Sequence, residues 1–106
     1  MKKKAIRKTN HPHIVQVEGV CGGRPIIEGT RLAVWHVADY HYKSGMSVEE
    51  ILMNCENVTL AQLYDALAYY HDHKAEINKD IWENSYEYWI ERHAPAQTTP
   101  ERALVA

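Results

Sequence analysis

A chain of 106 residues, 45% hydrophobic and 25% charged, is long enough to bury one core and too short for two, so a single domain is expected. No apolar run approaches the roughly 18 residues of a membrane span, and Lys2, Lys3 and Lys4 lead into Thr9-Asn10-His11 rather than an apolar stretch, which argues against a secretory signal and for a cytoplasmic protein. The formal net charge of −2 hides an asymmetry: the first ten residues carry five cations and no acid, whereas the rest carries seven cations against fourteen acids.

Residues 1–10 therefore read as a basic flexible arm whose Lys2, Lys3, Lys4, Arg7 and Lys8 suit phosphates bound by counterion release. A solvated tail that merely aids solubility is an equal alternative. From His11 to Val20, β-branched Ile14, Val15, Val17 and Val20 alternate loosely with polar residues, which predicts a short strand. The run Cys21-Gly22-Gly23-Arg24-Pro25-Ile26-Ile27 then predicts a tight turn and a second short strand over 26–28, together a small hairpin, and Gly29-Thr30 turns the chain again. Two short strands are only marginally stable alone and must pack on something else.

At Leu32 the period changes. Val34, Val37 and Ala38, with Trp35 and Tyr42, fall at helical spacing up to Ser44, and Gly45 suits the position just past a helix end. Two complete start signals follow. Ser47-Val48-Glu49-Glu50 is a capping box with a Met46–Ile51 staple, and Thr59-Leu60-Ala61-Gln62 repeats the device with a Val58–Leu63 staple. Helix two is thus predicted over Val48–Asn54 and helix three over Leu60–His73, with Leu60, Leu63, Leu67 and Tyr70 as the buried face and Ile51 and Leu52 opposite. The short link between them suits a helix-turn-helix.

Three motifs in this order, C-G-G-R-P-I-I-x-G-T-R-L-x-V, G-M-S-V-E-E-I-L and L-x-x-L-Y-x-A-L-A-Y-Y-x-D-H, resemble the domain-of-unknown-function family 433 over about residues 11–77. That resemblance implies a homeodomain-like, helix-turn-helix fold and an association with antitoxins. The expected class is mainly α: a short β-hairpin and a trihelical helix-turn-helix over 11–73, then an additional C-terminal helix over 74–93, with 94–106 a Pro- and Thr-bearing disordered tail.

Away from the apolar stripe of helix three lie Ala61, Gln62, Asp65, Tyr69 and Asp72. Gln62 is the candidate to read adenine and Tyr69 to touch a phosphate. Two acids and no Lys or Arg before Lys74 argue against ordinary major-groove docking, so the arm, Arg24 and Arg31 have to supply the charge; alternatively each arginine pairs with an acid of the body. In the fourth helix Ile77, Ile81, Trp82, Tyr86 and Trp89, with Tyr88 and Ile90, make an apolar surface wider than one stripe, expected to serve a homodimer or a toxin partner, or to fold back on the core.

The seven histidines include the pairs His11/His13 and His71/His73, but metal-site spacing is absent, so neither a metal nor another cofactor is expected. Cys21 and Cys55 are read as reduced thiols, and no base is tied to Cys21 by spacing. An enzyme is therefore not expected. The resulting expectation is an antitoxin-like regulator of a toxin-antitoxin pair that binds operator DNA and a nuclease-like toxin. The alternative is a protein-interaction module that uses the helical domain as scaffold and binds no DNA.

Overall fold

The computed structural model describes residues 5–93 and is mainly helical, with a small antiparallel sheet at its start. Strands β1 (Ile6–Lys8), β2 (Ile14–Val17) and β3 (Ile26–Ile27) are ordered β1-β2-β3. The β2–β3 pair, Ile14 opposite Ile27 and Val15 opposite Ile26, is the hairpin expected from the valine and isoleucine pattern. β1 is new. Ile6, Arg7 and Lys8 pair with Val17, Gln16 and Val15, so the last part of the segment expected to be a flexible arm is an edge strand. A strand whose three residues are all exposed leaves no apolar alternation for a sequence reading to detect.

Cys21, Gly22 and Gly23 all have positive φ, at 50°, 68° and 79°, and form one 3-10 turn closed by Gly23 N–H to the Val20 carbonyl at 2.9 Å. The turn sends the chain into Ile26 and Ile27, both buried because β2 brings them against two different layers. Ile14 and Ile27 belong to the main core and Val15 and Ile26 to a second cluster with Val20 and Ala33, so the small sheet is covered on both faces.

Helix α1 (Val34–Ala38) runs on into a π-helical stretch, Asp39–Lys43, and ends where Gly45 takes φ 74°. His36 Nδ1 accepts the Ala33 N–H at 2.9 Å; alanine offers no oxygen in return, so only half of a capping box forms. Helices α2 (Val48–Asn54) and α3 (Leu60–Asp72) begin at the expected capping boxes, with Ser47 and Glu50, and Thr59 and Gln62, bonding reciprocally. Met46 and Val58, the expected staple residues, pack on the main core that holds Ile51 and Leu63.

The buried face of α3 is rotated from the expected one. It consists of Leu63, Ala66, Leu67 and Tyr69, while Leu60 is exposed and Tyr70 half-buried. The reason is that α3 packs on α1, on α2, on the sheet and on the following helix, so a wider arc than one stripe is covered.

The single fourth helix expected over 74–93 is two helices, α4 (Lys74–Glu83) and α5 (Tyr86–His93). The Asn84 side-chain amide donates to the Asp80 carbonyl at 2.7 Å and the Ser85 hydroxyl to the Trp82 carbonyl at 2.6 Å, closing α4; Ser85 Oγ then accepts the Tyr88 N–H at 3.1 Å and opens α5. Among the described residues no helix is long and apolar enough to cross a membrane.

Candidate functional site

The acidic stripe of α3 is occupied by the protein's own N-terminal segment. Asp65, Tyr69 and Asp72 share one helix face by their spacing, and His11 docks on all three. Its Nδ1 lies 2.8 Å from Asp65 Oδ1, its Nε2 lies 2.8 Å from Asp72 Oδ2, and its ring meets the Tyr69 ring edge-on at 5.2 Å. The backbone N–H of His13 donates to the other oxygen of Asp65 at 2.9 Å. Burial pulls the His11 ring towards neutrality, but the hydrogen bonds and charges of the two carboxylates outweigh it, and its pKa is raised above 6.5.

Tyr69, expected to face outward, is 4% exposed. Burial, with Glu76 and Asp80 nearby, pushes its hydroxyl up to about 12, and its ring stacks on His73 at 4.2 Å. A phenol held in that way is a core residue rather than a phosphate contact. Gln62 is engaged as well, its side-chain carbonyl accepting the Thr59 N–H at 2.8 Å.

Arg24 behaves as the second of its two expectations. Its Nε donates to Asp80 Oδ1 and its Nη2 to Glu83 Oε1, both at 3.2 Å, tying the Gly-Gly turn to α4. Asp80 is 8% exposed and its second oxygen has no hydrogen-bond partner. Burial pushes its carboxyl up and Arg24 pulls it back, with a net rise.

The cations that remain lie elsewhere. Arg7 and Lys8 on β1 and Arg31 after β3 are exposed, and none forms an ion pair among the described residues. Lys2, Lys3 and Lys4 lie outside the described residues, as does the expected tail 94–106. Arg31 and Ile6 line an open depression of about 500 Å³ whose floor is Val17, Val20 and Ile26 and whose rim includes Glu56 and Asn57.

Of the five residues expected at a partner interface, Ile77 is fully buried and Ile81 half-buried, both packed on the main core. They belong to the fold-back alternative. Trp82, Tyr86 and Trp89 are 41%, 73% and 55% exposed, so of these five residues the two isoleucines go to the core and the three aromatics to the surface.

The histidine pairs are held by hydrogen bonds and rings: His71 Nε2 lies 2.6 Å from the Tyr42 hydroxyl, and His73 Nδ1 lies 3.5 Å from Glu76. Among the described residues no group of three or more His, Cys, Asp or Glu side chains is placed to hold a metal ion. Sequence reasoning missed the docking of His11 on Asp65 and Asp72, and it named no partner for Arg24, which the structure gives as Asp80 and Glu83. The regular spacing of Asp65, Tyr69 and Asp72 is the one local signal of that docking.

Residues 14–70 match the family described as protein of unknown function DUF433. The crystal structure of a DUF433 member protein from Anabaena variabilis resembles this chain with a TM-score of 0.62 at 33% sequence identity, over 68% of this chain and 69% of that one. No curated protein matches.

Proposed function

This chain belongs to the DUF433 family, and on that premise we propose that it is an antitoxin-like regulator whose principal task is to bind a partner protein through the surface of α4 and α5. We read α1, α2 and α3 as a trihelical, homeodomain-like helix-turn-helix body, a reading supported by α3 packing on both α1 and α2 across a short link opened by the Thr59 cap. In this reading the body is scaffold. The observation that carries the proposal is the exposure of Trp82, Tyr86 and Trp89 on a pair of terminal helices, since large aromatics in that position are the residues that anchor protein interfaces.

The experiment is sedimentation of the full chain, alone and mixed with the product of the adjacent reading frame, beside Trp82→Ala and Trp89→Ala. A complex that both variants weaken supports the reading. A complex of undiminished strength in both variants, or a parent chain that stays monomeric and ignores the neighbouring product, overturns it.

A second reading, duplex DNA binding, draws on a different observation: Arg7, Lys8 and Arg31 remain unpaired by the described acids while Arg24, Gln62 and Tyr69 are used inside the fold. In that reading phosphates meet the N-terminal cations, and α3 contributes no base contact through its Asp65–Asp72 stripe.

A further inference from the structure

We propose that the outer edge of β1 takes up an extended, acidic segment of a partner protein as a fourth strand of the sheet. This rests on the partner-binding reading above and adds a contact made by residues other than the α4 and α5 aromatics.

The register determines which backbone groups are available. Glu18 N–H donates to the Ala5 carbonyl at 3.0 Å, so Ala5 and Glu18 are a hydrogen-bonded pair. Pairs alternate along an antiparallel ladder. Ile6 opposite Val17 and Lys8 opposite Val15 are therefore non-hydrogen-bonded pairs, and Arg7 opposite Gln16 is a hydrogen-bonded one. It follows that the N–H and C=O of Arg7 point to β2, while those of Ile6 and Lys8 point away from the sheet, where no described strand pairs with them.

Side chains at this edge match the backbone. Ile6 and Lys8 share a face with Val15 and Val17, and Ile6 and Val17 line the open depression with its aliphatic floor. Ile6 is 59% exposed, an apolar side chain on a strand edge with a concave apolar surface beside it. An added strand would set one side chain against that floor, so an aliphatic residue is favoured there.

Charge selects what flanks it. Lys8 lies on the depression face, Arg7 on the other, and Arg31 at the rim, against Glu56, the one acid among the described lining residues. Glu18 stands at the Ala5 end, so acids of the incoming strand are favoured towards the Lys8 end. A second copy of this chain fits poorly: pairing two β1 edges about their centre puts Arg7 directly opposite its own counterpart, and like charges in that position repel.

The test uses the full chain and a fluorescein-labelled peptide of about seven alternating glutamate and valine residues, read by fluorescence anisotropy. Lys8→Pro removes an outward N–H and leaves the β1–β2 ladder intact, so it should weaken binding about tenfold or more with an unchanged thermal melt. Arg7→Pro, by contrast, should lower the melt, because its N–H serves the ladder.

Peptides methylated on alternate amides keep the experiment decisive even where a proline variant fails to fold: methylation of one alternating set should abolish binding and of the other should be tolerated. Equal loss from both sets, or full binding by a folded Lys8→Pro chain, overturns the proposal. So does saturable binding of duplex DNA, or self-association removed by Lys8→Pro, in a chain that ignores the peptide. A Trp82→Ala chain that still binds the peptide separates the fate of this edge from that of the α4–α5 surface.

Discussion

His11 Nδ1 and Asp65 Oδ1 lie 2.8 Å apart across 54 positions of sequence, and the other nitrogen of the same ring lies 2.8 Å from Asp72. Both ring nitrogens can donate only when the imidazole is protonated. The folded pKa of His11 is raised above its ordinary 6.5, so the stabilisation is fully present below pH 6.5 and is lost as pH rises through the folded value. We expect His11→Gln to cost about 1–3 kcal/mol at low pH and less at high pH. Denaturant melts across about pH 5.5 to 8.5 check this; parallel profiles for parent and variant would sink it.

Arg24 opposes the burial of Asp80, whose carboxyl is already raised. Removing it with Arg24→Ala leaves a buried acid beside Glu76 and Glu83 with its ion pair gone. The expected loss is about 1–3 kcal/mol. Because a raised acid resists ionisation in the fold, stability should fall as pH rises above the ordinary 3.8 of the carboxyl, and more steeply in the variant than in the parent. Urea melts at an acidic and a neutral pH measure the difference in slope.

Gly22 and Gly29 should respond differently to alanine. Both sit at positive φ, 68° and 84°, so each substitution carries roughly 1–2 kcal/mol of backbone strain. A Cβ at Gly29 meets nothing within 4 Å, whereas one at Gly22 would come within 2.6 Å of Arg24 Nη1 and push the guanidinium off its carboxylates. Gly22→Ala should therefore be the more damaging in a thermal melt, and that excess should vanish in an Arg24→Ala background.

Ser85→Ala removes both the hydroxyl that closes α4 and the cap that opens α5. The effect, about 1 kcal/mol, should be confined to the end of the chain. Amide exchange resolved by residue should accelerate over 86–93 and leave α3 untouched; uniform acceleration would contradict the local role of the cap.

If the DNA reading holds, each phosphate neutralised contributes roughly 0.9 to the slope of log K against log salt, so Arg7, Lys8 and Arg31 together predict a slope of about −3. Charge reversal at all three should remove that share of the slope. Gln62→Ala should instead lower helix stability, since its side chain closes the Thr59 cap.

What the sequence disclosed well were devices completed within four residues. The Ser47–Glu50 and Thr59–Gln62 boxes and the Gly45 stop are such devices, and the starts of α2 and α3 fall where they predict. Tyr69 was misplaced because its burial depends on His11 and α4, elements that converge on α3 from opposite ends of the chain. Asp65 reads as a solvated position for the same reason, since its partner His11 is far away in sequence, whereas the Asp72 side chain does stay exposed while it bonds the same ring. The Ser85 cap was local and still hidden, because Trp82, Tyr86 and Trp89 continue an apolar pattern straight across it. β1 was masked by its own arginine and lysine, residues that suit an exposed edge as well as an unstructured arm.

The π-helical stretch at Asp39–Lys43 closes on the Ser44 N–H to Asp39 carbonyl bond, a ring one residue wider than an ordinary helical turn. A turn of that kind holds one residue of slack between two rigid neighbours. Shortening the chain by one position within 39–43 should let the segment close as a plain α-helix while Gly45 and the Ser47 cap keep their places, whereas the same deletion in α3 would rotate every later side chain by about 100°. Relatives of unequal length should therefore be able to gain or lose a residue at this turn without rebuilding the core on either side.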